Sequence, residues 1–272
     1  MWLDVVDDVT RAGYVGKMTD LEFNTEGEVA ILSLNRPEKL NALRTQSFVE
    51  LRSVVQEIQR DDSIKVVVLT GNGGSFCSGA DIAEYSQMKS SREFFNFQAN
   101  GQKSYHSLAT LNKPVVGAVN GYALGGGFEL ALCCDVIFAG HKTMFGFPEV
   151  KLGLIPGGGT TIKLPAIIGA FRAKELIMSG RFMSASEAHK IGIVSDVVSE
   201  RYLMQKAMKY ANTLSALSGS ALASVKKLVY LVSEQAISTY FEAELSEITS
   251  LYGSGMVRKK IDSFIMKQKR TE

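Results

Sequence analysis

The stretch NGYALGGGFELALCCDVIFAG, residues 120–140, decides the reading of the fold. Three consecutive glycines, Gly125 to Gly127, run directly into a helix-like segment, and DVIFA (Asp135 to Ala139) then reads as a strand. The run before it, PVVGAV (Pro114 to Val119), reads as a strand too. Strand, glycine turn, helix and strand in so short a span point to an α/β architecture with parallel pairing.

The same alternation extends both ways. LEF and VAILSL around NTEGE read as a hairpin. Phe48, Leu51, Val55 and Ile58 recur at three and four residues, which predicts a helix with one apolar face. IKVVVLT (Ile64 to Thr70) is a continuous β-branched run, as expected of a strand covered on both sides. A helix is expected around residues 92–110 and another after GLIPGGG. Ser184 and Glu187 form an S-x-x-E capping box before a short helix. From about residue 200 the pattern is helical only. The expected plan is an extension over residues 1–17, an α/β core over 18–200 and a C-terminal helical region over 201–272.

Bulk properties narrow the function. A chain of 272 residues with 46% apolar and 21% charged residues fits an ordinary globular protein. A formal charge of +2 gives no footing for nucleic acid or a membrane surface. No stretch approaches the ~18 apolar residues of a membrane span, and the acidic N-terminus resembles no secretory signal or Arg-rich transit peptide. Cys77, Cys133 and Cys134 make no disulfide framework, and CxxC spacing is absent. A reducing, cytoplasmic setting is expected. The three histidines have no ligand spacing with one another, so no metal is expected.

Two glycine turns after strands raise nucleotide binding, and both fail on their own residues. Gly71-x-Gly73 and Gly125-x-Gly127 reach Phe76 and Leu130 where G-x-G-x-x-G needs its third glycine. GLIPGGGTT lacks the lysine of a P-loop. A nucleophile elbow at Ser78 would need glycines where Phe76 and Ala80 stand.

What remains is a glycine turn used for its backbone. Without a Cβ the chain can pass close to a ligand, and free N–H groups at a helix start favour a developing anion. Glu129 lies one helical turn beyond Gly126, so its acid would face the same place. A purely structural turn, with Glu129 as an ordinary N-terminal acid, stays open on this stretch alone. Glu149, in MFGFPEVKLGLIPGGG, adds a second acid among apolar residues, twenty positions on. Two carboxylates at one site suit acid–base chemistry on a neutral substrate, if their environments separate their proton affinities.

The chain resembles the enoyl-CoA hydratase (crotonase) family over nearly all of residues 18–272. SFCSGADI is similar to the family's first oxyanion segment and NGYALGGGFELALCCDVIFAG to its second. FGFPEVKLGLIPGGGTT is similar to the segment with the second glutamate, and LNRPEKLNAL to an early signature beside the CoA. The resemblance implies a crotonase-like spiral of β-β-α turns with a C-terminal helical region, assembled as a trimer or hexamer. It implies no metal or redox cofactor, coenzyme A being part of the substrate.

It also implies roles. The N–H groups of Ala80 and Gly126 would form an oxyanion hole for an acyl-CoA thioester. Glu129 and Glu149 would be the catalytic pair, Glu149 handling the C2 proton and Glu129 acting more on the water. Ser78, Asp81, Ile82 and Ala83 would lie at the CoA end, with Lys39 and Lys267 as cationic contacts to its phosphates. Many hydratases carry a lysine where this chain has Ala83. Because both glutamates are present, the resemblance favours hydration over the family's isomerases, with a non-catalytic binding protein as the outlying alternative. Phe94, Phe95 and Phe97 are candidates to close the acyl tail, or are plain core.

Overall fold

The computed structural model describes residues 18–268, and of residues 231–239 and 268 the backbone alone. The expected extension over residues 1–17 lies outside the described residues. The chain opens with β1 (Leu21–Glu26) and β2 (Val29–Leu34), then α1 (Thr45–Arg60), β3 (Val66–Gly71), α2 (Ile82–Gln87) and α3 (Ser91–Ala109). It continues with β4 (Val115–Val119), β5 (Tyr122–Leu124), α4 (Gly126–Ala131), β6 (Val136–Gly140) and β7 (Met144–Gly146). A 3-10 turn (Pro148–Leu152) leads to α5 (Thr160–Ile168), α6 (Ala170–Ser179), β8 (Phe182–Ser184), α7 (Ala185–Lys190) and β9 (Asp196–Val198). Three helices finish it: α8 (Glu200–Ser215), α9 (Gly219–Gly253) and α10 (Met256–Gln268).

Six strands form one sheet in the order β1-β2-β3-β4-β6-β9, antiparallel only between β1 and β2. The hairpin is longer than its apolar residues suggest. Asn24, Thr25 and Glu26 pair with Ile31, Ala30 and Val29, leaving Gly27 (φ 58°) and Glu28 as a two-residue turn. The ladder extends through polar residues because the edge strand's outer side chains can face water. In β3, Val66 to Leu69 are all fully buried, as a doubly covered strand requires.

A second, smaller layer explains the spiral. After β2, β3, β4 and β6 the chain makes a short parallel pairing in this layer before it turns away. Leu43 bridges Ala80, Cys77 bridges Ala123 of β5, and β5 pairs with β7 through Ala123 and Phe145. The turns are therefore β2–Leu43–α1, β3–Cys77–α2/α3, β4–β5–α4 and β6–β7–Pro148. The expected β-β-α spiral is the observed fold.

The 36–43 loop is held by Asn41, a buried residue at φ 56° next to Leu40 at φ 49°. Its side chain accepts from Arg36 N at 2.8 Å and donates to Asn72 O at 3.0 Å and Ser75 O at 2.7 Å. The left-handed conformation of both residues is thus secured by bonds to three separate backbone groups.

Beyond residue 200 the chain is helical, and these helices pack on the α/β layers. Leu203, Ala207 and Ala211 of α8 lie on Val29, Val66, Val68, Val116 and Phe138 of the large sheet. The four-residue spacing puts a flat, small-residue stripe against the strands. Helix α9 packs on α3 and α5, and α10 on α2.

Candidate active site

The residues beyond the second-layer pairings converge. Gly125, at φ 51° and ψ −127°, turns the chain from β5 into α4, and its N–H is held by Gly146 O at 2.8 Å. A Cβ there would lie 2.7 Å from Glu149 Oε1, so glycine is demanded by conformation and by space. At Gly126 a Cβ would lie 2.9 Å from Tyr105 Oη and 3.7 Å from Ala80 N. Ala80 and Gly126 are therefore neighbours across the second layer. Among the described residues, neither of their N–H groups has a hydrogen-bond acceptor. On either side of Ala80 the pairing is regular: Leu43 N donates to Gly79 O and Asp81 N to Leu43 O, both at 2.8 Å. Tyr105, from α3, donates to Gly126 O at 2.9 Å and fixes that peptide. Helix α4 is only six residues long, so the two N–H groups rather than a macrodipole make this an anion-favouring spot.

Two carboxylates flank it. Glu129 is buried, and its Oε1 accepts from Gly158 N at 2.7 Å. Burial first, then the Glu244 charge, pushes its carboxyl up to about 7, against the pull of the Gly158 N–H and Lys163. Glu149 stands against Gly125, and its Oε2 is buried with no hydrogen-bond partner among the described residues. Burial, then the charge of Glu129, raises its carboxyl well above the usual carboxylate range. The two acids are thus in unequal surroundings. Glu129 has a donor and a nearby cation that favour its ionised form, whereas Glu149 is left to the neutral form.

The remaining expected residues have the following surroundings. Ser78 Oγ reaches Lys39 O at 3.5 Å, and Lys39 is exposed at the end of the Pro37–Lys39 turn. Asp81 is engaged with the protein, pairing with Arg36 Nη2 at 3.0 Å and capping α2 through Ala83 N at 3.0 Å. Ile82 is half-buried and Ala83 exposed at the start of α2. Lys267 is exposed in the last turn of α10, whose Arg258 bonds Met88 O just beyond α2. Phe94 and Phe97 are core: Phe94 stacks on Tyr252 at 4.0 Å, and Phe97 meets Phe48 and Tyr85 edge-on. Phe95 is half-buried beneath Arg92. Tyr85 Oη, nearer the carboxylates, accepts from Gln98 Nε2 at 2.8 Å.

Sequence reasoning missed Tyr105, Gly158 and Glu244. The PGGG run marked a turn, and its service to Glu129 needed the fold. Glu244 sits in FEAELSEI, where Glu242 and Glu247 read identically.

Comparison with known proteins shows the family. The sequence model of the family described as enoyl-CoA hydratase/isomerase matches residues 24–271. A probable mitochondrial enoyl-CoA hydratase of Dictyostelium discoideum is 37% identical over 246 residues, 90% of this chain and 88% of that protein. A short-chain-enoyl-CoA hydratase of Clostridium acetobutylicum is 36% identical over 254 residues, 93% of this chain and 97% of that protein. The crystal structure of an enoyl-CoA hydratase from Bacillus anthracis superposes with a TM-score of 0.77 at 33% identity, covering 84% of this chain and 90% of that one.

The site's electrostatics predict a stability signature. A carboxyl whose folded-state value is raised from 4.5 to about 7 stabilises the fold below the lower value and loses that contribution as pH rises through the upper one. Glu129→Gln keeps an acceptor for the Gly158 N–H and removes the charge. Its melting temperature is expected to match the native chain near ~pH 5 and exceed it by roughly 5 °C near ~pH 8. An equal gap at both pH values would show that the buried charge carries no such cost.

Proposed function

The chain belongs to the enoyl-CoA hydratase/isomerase family, and we propose that Glu129 and Glu149 are the acid–base pair with which it hydrates trans-2-enoyl-CoA thioesters. It is an enoyl-CoA hydratase, adding water across the 2,3 double bond to form a 3-hydroxyacyl-CoA. The observation that carries the catalytic assignment is the unequal carboxylate pair beside two unsatisfied N–H groups.

The thioester carbonyl oxygen accepts from Ala80 N–H and Gly126 N–H. Ionised Glu129 takes a proton from water as its oxygen bonds to C3, and the displaced π electrons move onto the thioester oxygen. As the enolate collapses, neutral Glu149 delivers its proton to C2. The proton gained by Glu129 then restores Glu149, so the net change is one water added. A single oxyanion donor is typically worth about 2.7–4 kcal/mol of barrier. No electrons leave the substrate, so this chemistry calls for no redox cofactor, and the two N–H groups would supply the oxyanion stabilisation. By resemblance the CoA end would meet Lys39, Ser78, Asp81, Ile82, Ala83 and Lys267. The free cysteines, Cys77 and Cys133 among them buried, support a reducing cytoplasmic setting. Among the described residues no helix is long and apolar enough to cross a membrane.

We also infer a homotrimer or homohexamer. The support is the exposed apolar set Val225, Leu228 and Val229, three and four residues apart on one face of α9, with Phe171 and Met178 exposed on α6. Light scattering at micromolar concentration is expected to give three or six times the chain mass, and a stable monomer would remove this inference.

With crotonyl-CoA at ~50–200 µM, within the usual range of KM, Glu129→Gln and Glu149→Gln are each expected to lower kcat by at least ~10²-fold. Either variant keeping more than half of native kcat while folded would sink the two-carboxylate mechanism. The glycine turn gives an independent check. Gly126→Ala places a methyl against Tyr105 Oη and is expected to cost about tenfold in kcat, and Gly126→Val ~10²-fold. Adding Tyr105→Phe removes the clashing oxygen and should recover part of the Gly126→Ala loss, a coupling visible in a double-mutant cycle. Strict additivity would mean that the clash is not what disables the variant.

A further inference from the structure

A buried carboxylate beside the catalytic pair has no part in the mechanism above. Glu244, on α9, is 5% exposed and reaches the site from the far side of the glycine loop. Its Oε2 accepts from Gly159 N at 2.7 Å, and its Oε1 accepts from Thr161 N at 3.3 Å and from Thr161 Oγ1. The residue before Gly159 is Gly158, whose N–H is bonded to Glu129. Neighbouring N–H groups of one loop are therefore divided between two carboxylates that approach from opposite sides.

The packing leaves the loop little freedom. A Cβ at Gly158 would lie 2.6 Å from the Tyr105 ring and 2.9 Å from Glu129 Cδ. A Cβ at Gly159, where φ is 94°, would lie 2.4 Å from the Phe241 ring. On the upstream side, Gln102 Nε2 donates to Gly157 O at 2.8 Å. The loop is thus a thin slab between Tyr105 and Glu129 on one face and Phe241 and Glu244 on the other.

We propose that Glu244 is a positioning residue for Glu129, clamping the start of α5 so that Gly158 N–H is presented to the Glu129 carboxylate and adding a negative charge beside it. This deepens the hydratase reading and rests on it. The clamp sets where the Glu129 oxygens point. The charge makes Glu129 hold its proton more tightly than its one N–H donor would dictate. The other titratable groups acting on Glu129 are Glu149 after β7 and Lys163 on α5, while Tyr105 and Cys133 stand beside it. Those acting on Glu244 are Lys163, Glu129 and Glu149.

Two variants separate clamp from charge, read as kcat against pH for crotonyl-CoA. Glu244→Gln keeps an acceptor for Gly159 N–H, gives up the longer Thr161 N–H bond and loses the charge. Its acid limb is expected to move to lower pH by ~0.5 unit or more, with kcat at the optimum within about threefold of native. Glu244→Asp keeps the charge but draws back from the loop by one methylene. It is expected to lose about fivefold or more in kcat with the acid limb in place. A Gln variant with the native acid limb, or an Asp variant with native kcat, overturns the proposal; if the Gln variant does not fold, the Asp arm decides it. A native protein that does not hydrate crotonyl-CoA would instead remove the hydratase reading. The protonation of Glu129 would then be followed by infrared titration of the native and Glu244→Gln proteins, each against its Glu129→Gln counterpart, and an unmoved titration would refute the clamp's electrostatic role.

Discussion

The register of the small second layer is the constraint on which the site depends. Cys77, Ala123 and Phe145 lie side by side in parallel pairings from successive turns of the spiral. Counting three or four residues onward from each reaches Ala80, Gly126 and Glu149. The functional groups therefore sit together because three strands are in step, at the carboxyl ends of parallel segments where α/β sheets place their ligands. At about 3.3 Å per residue, a slip of two residues in any pairing would carry one group some 6–7 Å out of place. That register is locked from the flank by the 36–43 loop, whose Leu43 pairs with Ala80 and whose left-handed turn is held by Asn41.

Burying carboxylates in this pocket runs against stability, and the fold offsets the cost only in part. Glu129 receives one backbone donor and the influence of Lys163, Glu244 receives three donors, and Glu149 Oε2 receives none. An unpaired buried oxygen calls for an explanation, and a catalytic role is one. Here the inequality separates the roles. The better-supplied acid can ionise and act as a base, and the unsupplied one keeps its proton for delivery. The loop at Gly157 to Thr161 distributes those donors, which explains why it tolerates so little side chain.

The C-terminal helices belong to this scheme. α8 covers the outer face of the large sheet, and α9 carries Glu244 and Phe241 to the back of the glycine loop. A boundary at residue 200 marks where strands end. It does not mark where the core ends.

Much was legible from local pattern alone. The β-branched run in β3, the period of α1, the Ser184 capping box and the glycine turn at Gly125 are short-range signals, because strand burial, helix periodicity and left-handed backbone are written in neighbouring residues. The motif segments pointed to Glu129, Glu149, Ala80 and Gly126 through the family resemblance rather than through any periodicity of their own. Only the tertiary structure decided the rest. Nothing near Asn41 says that its amide bridges residues 36, 72 and 75, and nothing near Tyr105 says that its hydroxyl holds the Gly126 peptide. Nothing near Asp81 says that it pairs with Arg36, and Glu244, one acid of several on a helix, is bonded 85 residues away to Gly159. These choices follow from which face of a helix is buried and what stands opposite it. That information is long-range, and it exists only once the chain has closed on itself.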